Sequence, residues 1–460
     1  MDEIVGRKES LYEKHHKIQA REVDGPFDRF RNISTIILLG FYYVLPWFRW
    51  SGRQAVLFDL PARKFYIFEL TLWPQDFIYL TWLLIMAALL LFFATAVAGR
   101  VWCGYACPQT IWTNAFVWME RITEGKFHKR IKLDRNRYTK EWWARKLAKR
   151  VLWFGFALWT GFTFVGYFTP IDTLGARMLR FDLGGWEFFW VAFYSFATYG
   201  NAGHLREQVC KYMCPYARCQ RAMFDRDPLI VSYDTARGEP RGGRRRGTDL
   251  AAEGLGDCTD CNICVQVCPT GIDIRKGLQY ECTTCASCID ACNGVMDRMG
   301  YPRGLIRYTT QHSLDGKQTH LLRPRTVLYG VVLLALFAGF VVSILNRVPM
   351  QLDVIRDRNA LYRTLSDGRI ENVYTLKLQN KTEERQEFRL FVNGIPGMAI
   401  ETEPATPRLE AGAVASIAAR VQADPRTVRG GGHVVVFSAQ RVDDATLNVS
   451  REARFMMPLR

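Results

Sequence analysis

Cys258-Thr-Asp-Cys261-Asn-Ile-Cys264-Val-Gln-Val-Cys268-Pro269 is followed, with 13 residues between Cys268 and Cys282, by Cys282-Thr-Thr-Cys285-Ala-Ser-Cys288-Ile-Asp-Ala-Cys292. Two-residue gaps let one tight loop present three thiolates to a single inorganic centre. The fourth Cys of each run is then free to reach across to the other centre, so ligation is crossed. The spacing therefore predicts one 4Fe-4S cluster held by Cys258, Cys261, Cys264 and Cys292, and a second held by Cys282, Cys285, Cys288 and Cys268. CxxC pairs also bind zinc, but a third regularly spaced Cys and a fourth in both runs favour iron and sulfide over two structural zinc sites. Asn293 follows the last Cys where Pro is usual, a departure that removes no ligand.

Working outward, all 13 Cys of the 460-residue chain lie between Cys103 and Cys292, and the final 168 residues hold none. That clustering speaks for metal rather than for a disulfide framework. Apolar residues make up 49% of the chain and aromatics 13%, which excludes disorder. The formal charge is +16, yet the bases lie between apolar runs and no nucleic-acid module accompanies them.

Five stretches lack Lys and Arg altogether: residues 33–48, 77–99, 151–168, 188–200 and 326–345. Each is read as a membrane helix, the second and fifth being long enough to cross about 30 Å of hydrocarbon at ~1.5 Å per residue. The fourth is short enough that a re-entrant helix competes. Residues 1–32, 99–150 and 201–324 hold 7, 13 and 17 Lys plus Arg, against 4 in residues 49–76 and 2 in residues 169–187. Cytoplasmic loops retain such bases, so the N-terminus and every Cys are expected on the cytoplasmic side of a membrane and the C-terminal tail outside. The first 32 residues have no apolar run, so the first helix itself is expected to target the chain.

Inside the membrane part a second pattern occurs twice. Cys103-Gly-Tyr105-Ala-Cys107-Pro108 and Cys210-Lys-Tyr212-Met213-Cys214-Pro215 stand 107 residues apart, each after a pair of apolar segments, as in a duplicated helical hairpin. On a helix, Cys at i and i+4 share a face and the Pro marks where the helix stops. Four thiols are thus expected to converge at the inner rim, with Cys219 nearby. Buried packing thiols, a thiol-based metal or redox site, and a static disulfide compete as readings. Soft thiolates, with the Met213 thioether as an addition, select copper(I) or an iron–sulfur cluster. The seven His lie outside the apolar segments, which argues against a bis-His haem, and His204 is a candidate copper ligand or a solvated loop residue.

The sequence divides into a cytoplasmic segment 1–32, a four-helix membrane domain 33–224, a basic linker 225–256, a dicluster ferredoxin domain 257–300, a connector 301–324, a fifth helix 325–346 and a tail 347–460. The Gly- and Arg-rich residues 235–257 read as a mobile patch, and residues 126–150, with Trp142 and Trp143 among bases, as a helix lying on the membrane surface. The tail alternates, as in Tyr374, Leu376, Leu378 and Phe388, Leu390, Val392, with Asn393-Gly394 as a turn. About 115 residues of this kind suit a seven-stranded sandwich.

The order of these parts, and Trp102-Cys103-Gly104-Tyr105 through Pro108 above all, resembles the cytochrome c oxidase accessory protein family, called CcoG, FixG or RdxA. The resemblance covers nearly the whole chain. It implies a multi-domain protein: an α-helical membrane domain of five transmembrane helices with an inserted α+β dicluster ferredoxin domain and a C-terminal all-β immunoglobulin-like sandwich. It implies two 4Fe-4S clusters and reduction of Cu(II) to Cu(I) in assembly of a cbb3-type oxidase. Cys103, Cys107, Cys210 and Cys214 match the family's CxxxCP positions, as catalytic thiols or as ligands of copper or a third cluster. The expected partners are membrane lipid, oxidase-assembly or copper-delivery proteins and an unnamed electron donor, with no nucleic acid. Two alternatives remain: an electron-transfer subunit of a quinone-linked reductase, and a scaffold or redox sensor without turnover.

Overall fold

The computed structural model describes residues 18–217, 219, 225–320, 322–357, 360–382, 384–428 and 430–458. His15, His16 and most of the N-terminal segment lie outside these residues, as does the end of the expected membrane domain at 218 and 220–224. Two compact units emerge, one of residues 1–69 and 78–336, the other of residues 70–77 and 337–460.

Helix α1 (Pro26–Val44) begins on a proline, whose fixed φ suits a first turn. It is followed by α2 (Phe77–Ala98), the short α3 (Val101–Tyr105), α4 (Pro108–Glu124) and α5 (Phe127–Arg135). Then come α6 (Lys140–Val165), α7 (Ile171–Leu179) and α8 (Gly185–Thr198). The Thr139 hydroxyl caps α6 by accepting from the Trp142 amide at 3.2 Å. Helices α9 (Ser287–Met299) and α10 (Pro324–Leu345) complete the set used below.

Only α2 and α10, among the described residues, are long and apolar enough to cross a membrane by themselves. The other three apolar stretches are helical but are embedded differently. Residues 151–165 continue without a break from the basic Lys140 turn, so the later part of the expected surface helix 126–150 and the expected third span are one 26-residue helix, while its earlier part is the separate α5. The reason is electrostatic. Lys146 and Lys149 are buried and reach Glu124 at 2.9 and 2.6 Å, while Arg206 reaches the fully buried Glu120 at 2.8 Å. Bases expected to face water or lipid instead fasten α6 to α4.

Close backbone approach organises the remaining contacts. A Cβ on Gly161 of α6 would stand 2.5 Å from the Val191 carbonyl of α8, so only glycine permits this crossing. Helix α1 lies against α4 and α6, where the Tyr42 hydroxyl donates to the Thr160 carbonyl at 3.0 Å.

The ferredoxin part extends beyond residues 257–300. Strands β1 (Ile230–Tyr233) and β2 (Ile306–Thr309) pair antiparallel, Ile230 opposite Thr309, and bracket both Cys runs. The expected basic linker is fastened to this core. Arg237 bonds Asp257 and donates to the Arg303 carbonyl at 3.0 Å, and Arg244 donates to the Gly256 carbonyl at 2.6 Å. Guanidinium groups here satisfy loop carbonyls, which composition alone does not reveal.

The second unit carries the sandwich. One sheet runs β6 (Ala399–Glu403), β7 (Val414–Ala423), β4 (Ile370–Asn380), β3 (Met350–Arg356), with Arg363–Thr364 also on β4. The other runs from Arg408–Leu409 through β5 (Gln386–Asn393) and β8 (Gly431–Arg441) to β9 (Asn448–Met457). The alternation read from the sequence holds: Tyr374, Leu376, Leu378, Phe388, Leu390 and Val392 all face the core, and Asn393 ends its strand before Gly394. Tyr374 stacks edge-on to Phe437 with ring centroids 4.8 Å apart, and its hydroxyl donates to the Arg454 carbonyl.

Candidate iron–sulfur and thiol sites

The eight ferredoxin Cys surround two small cavities of about 20 Å³ each. Cys258, Cys261, Cys264 and Cys292 line one. Cys268, Cys282, Cys285 and Cys288 line the other, with Cys264 between them. Four thiols around each cavity, three from one run and one from the other, are the donor set of a 4Fe-4S cluster.

Backbone geometry repeats between the two runs. Asp260 and Asn262 in the first, Thr284 and Ala286 in the second, all adopt positive φ, between 49° and 60°. These are the same two positions in each CxxCxxC loop, and each such residue costs of order 1–3 kcal/mol. Left-handed residues curl the loop so that its amides turn inward, and the Thr284 amide donates to the Cys282 sulfur at 3.4 Å. Burial pushes the Cys264 thiol up to about 11 and those of Cys282 and Cys292 up to about 12. Bare thiolates are disfavoured there, and a cationic iron centre would reverse that preference. The donor set and the curled loops both fit 4Fe-4S clusters.

The missing proline has a visible effect. The chain leaves helix at Val267 before Cys268-Pro269, whereas α9 runs through Cys292 and Asn293 to Met299. The Asn293 side chain accepts from the Gly304 amide at 3.0 Å, fixing the approach to β2.

The CxYxCP motifs do not form the expected continuous helix. Cys103 lies on α3, the chain turns at Ala106, and Cys107 is the extended N-cap of α4. Pro108 starts a helix rather than stopping one, since its absent amide is no loss in a first turn. In the second copy, Cys210 lies in a π-helical turn, Val209–Met213, and Cys214 is extended. π-turns of this kind concentrate at functional sites. The four thiols nevertheless converge. Burial first, then the nearby Cys107 thiol, pushes the Cys103 thiol up to about 12, with Cys210 and Cys214 adding to it. Cys210 is pushed up to about 11 by burial and then by Cys107 and Cys214. Met213 is 59% exposed, Cys219 is exposed, and His204 rests on the rings of Trp153 and Tyr199 in a cavity lined by Lys146 and Lys149.

The first motif is seated on the second cluster loop. A Cβ on Gly104 would come within 2.9 Å of the Thr283 carbonyl and 3.1 Å of the Cys285 Cα. The Tyr105 hydroxyl is 3.2 Å from that of Tyr308, which donates to the Thr284 carbonyl at 2.6 Å. Two arginines that sequence reading passed over complete this junction. Arg31 donates to the Cys285 carbonyl at 3.3 Å and the Ser287 hydroxyl at 2.7 Å. Arg100 joins the Tyr280 carbonyl to the Ala217 carbonyl, linking the cluster loop with the segment after Cys214. Cys210 and Cys285 line one cavity of about 110 Å³. The only sequence signal for Arg100 was its place at the charged end of an apolar run.

Comparison with known proteins agrees with this geometry. Residues 205–311 match the 4Fe-4S dicluster domain, residues 79–131 a 4Fe-4S binding domain, and residues 340–458 the IG-like fold at the C-terminal of FixG. The chain is 38% identical to the nitrogen fixation protein FixG of Rhizobium meliloti, over 84% of this chain and 81% of that protein. It is 41% identical to RdxB of Cereibacter sphaeroides, over 86% of each chain. RdxA of the same organism is 40% identical over 85% of each. Identity of 38–41% over more than four fifths of each chain places this chain in the FixG family of iron–sulfur electron-transfer proteins.

Proposed function

We propose that this chain is a membrane-bound one-electron carrier that reduces Cu(II) to Cu(I) during assembly of a cbb3-type cytochrome c oxidase. Cys258, Cys261, Cys264 and Cys292 hold one 4Fe-4S cluster, and Cys268, Cys282, Cys285 and Cys288 the other. Bound there, the clusters supply reversible one-electron storage. The observation that carries the reading is the seating of Gly104 and Tyr105 on residues 283–285, which sets the CxYxCP thiols directly beside a cluster loop. One electron converts one Cu(II) to Cu(I), and soft thiolates favour the product. The bases of residues 99–150 and 201–324 support placing this site on the cytoplasmic side, with the sandwich outside.

A second reading has its own support. The 4Fe-4S binding domain match over residues 79–131 contains just two cysteines, Cys103 and Cys107. Cys210 and Cys214 converge on that pair and would complete a third cluster. Iron and sulfide quantification on anaerobically purified protein decides between them. About eight irons per chain mean two clusters and about twelve mean three. In either case Cys210→Ala and Cys214→Ala are expected to slow Cu(II) reduction by dithionite-reduced protein, and unchanged rates in both variants would remove these thiols from the reaction.

A further inference from the structure

The clusters need a source of electrons, and a groove between α1 and α4, closed by α6, has the shape of a site for one. Its cavity is about 550 Å³. Its polar end is built by Asp28, Arg31, Asn32 and Asn114. Its apolar walls are Ile36 and Leu39 on α1, Trp118 on α4 and Phe156 on α6. Ile36 is 71% exposed and Trp118 63%, so the apolar end opens outward along the stretch 33–48 that carries no Lys or Arg.

The polar end is tied to the second cluster loop. Arg31 lines the groove and also donates to the Cys285 carbonyl and the Ser287 hydroxyl. The Asp28 amide donates at 2.8 Å to Asp290, on the helix between Cys288 and Cys292. A ligand head at this end therefore sits one side chain away from a cluster-bearing loop, while its tail lies among residues suited to lipid.

We propose that this groove binds a membrane quinol, which supplies the electrons. The inference rests on the reading of the chain as a membrane electron carrier and names its donor. A quinol combines a small polar head with an apolar tail, matching a groove that is polar at one end and apolar along its length. The side-chain amides of Asn32 and Asn114 can accept from a quinol hydroxyl and donate to a quinone carbonyl. Oxidation breaks two O–H bonds, forms two carbonyls and releases two electrons and two protons. The two single-electron chambers take one electron each, and the protons pass by the Asp28 carboxylate to water at the polar end.

The test uses the full-length, cluster-loaded protein in detergent under anaerobic conditions. A photoreactive azidoquinone is expected to label peptides from residues 26–44 and 108–124, and decylubiquinone to compete the label away. Ala115→Trp fills the groove and is expected to lower labelling about tenfold or more, with iron content and bleaching by dithionite unchanged. Leu39→Trp gives a second obstruction from the opposite wall should the first variant lose iron. Decylubiquinol is expected to bleach the clusters of the parent and not of the obstructed variants. Label that decylubiquinone does not displace, as from a site filled by phospholipid, overturns the inference, and so do parent clusters that dithionite bleaches but decylubiquinol does not. Mixing dithionite-reduced protein with Cu(II) tests the carrier reading separately, since clusters that stay reduced there refute it whatever the groove binds.

Discussion

At the scale of single residues, the sites are governed by backbone conformations that side chains do not normally favour. Asp260 and Asn262 are residue types that visit the left-handed region, but Thr284 and Ala286 at the equivalent positions are not. Ala286→Gly is expected to leave stability within about 1 kcal/mol of the parent, because glycine meets the φ of 60° without strain. Ala286→Val should destabilise by more than about 2 kcal/mol and lower bound iron, since a branched side chain there is both buried and strained. Iron content after a urea series distinguishes the two. The two Cys runs were legible because their spacing is local and nothing distant alters it. Arg31 and Arg100 were not, because each acts on a carbonyl more than 100 positions away in the chain.

At the scale of elements, periodicity identified segments better than it identified their ends. Helix α6 was read as two objects because its first turns are basic, and the acids that neutralise them, Glu120 and Glu124, belong to a different helix. The paired Cys of each CxYxCP motif were placed on one helical face, whereas the turn at Ala106 separates α3 from α4 and brings Cys107 round by a different route. The alternation of the sandwich strands was legible because burial of one face of a sheet is a property of the strand itself. The count was not: the sheets hold five and four strands among the described residues, two of them only two residues long, where seven were expected. The seating of α3 on the cluster loop leads to a test. Gly104→Val places methyl groups against the carbonyls of Thr283 and Thr284, whose backbone cannot retreat without moving Cys282 or Cys285. Electron passage from reduced clusters to Cu(II) is expected to slow about tenfold or more, with the Cys258 chamber retaining its iron. Wild-type rates would show that the contact is structural only.

For the whole molecule, the division into two units matters more than the number of helices. Every Cys lies in the first unit, and the sandwich has its own core, from Met350 to Met457, without a thiol. Stripping iron with a chelator under anaerobic conditions is therefore expected to expose residues 230–309 to protease while residues 350–457 stay resistant. Simultaneous loss of both would show that the two units fold as one. Composition announced this separation through the confinement of cysteine, and the 4Fe-4S and IG-like family matches fall on the same two regions.

The two chambers are not equally sheltered. Cys261 is exposed at the edge of the first, while Cys268, Cys282, Cys285 and Cys288 of the second are all at least partly buried. Dioxygen and peroxide arriving from water meet the first chamber before the second. Aerobic damage should thus proceed in sequence, an early loss at the Cys261 corner leaving a half-competent molecule whose inner centre still works, so that brief exposure to air lowers throughput before it abolishes it.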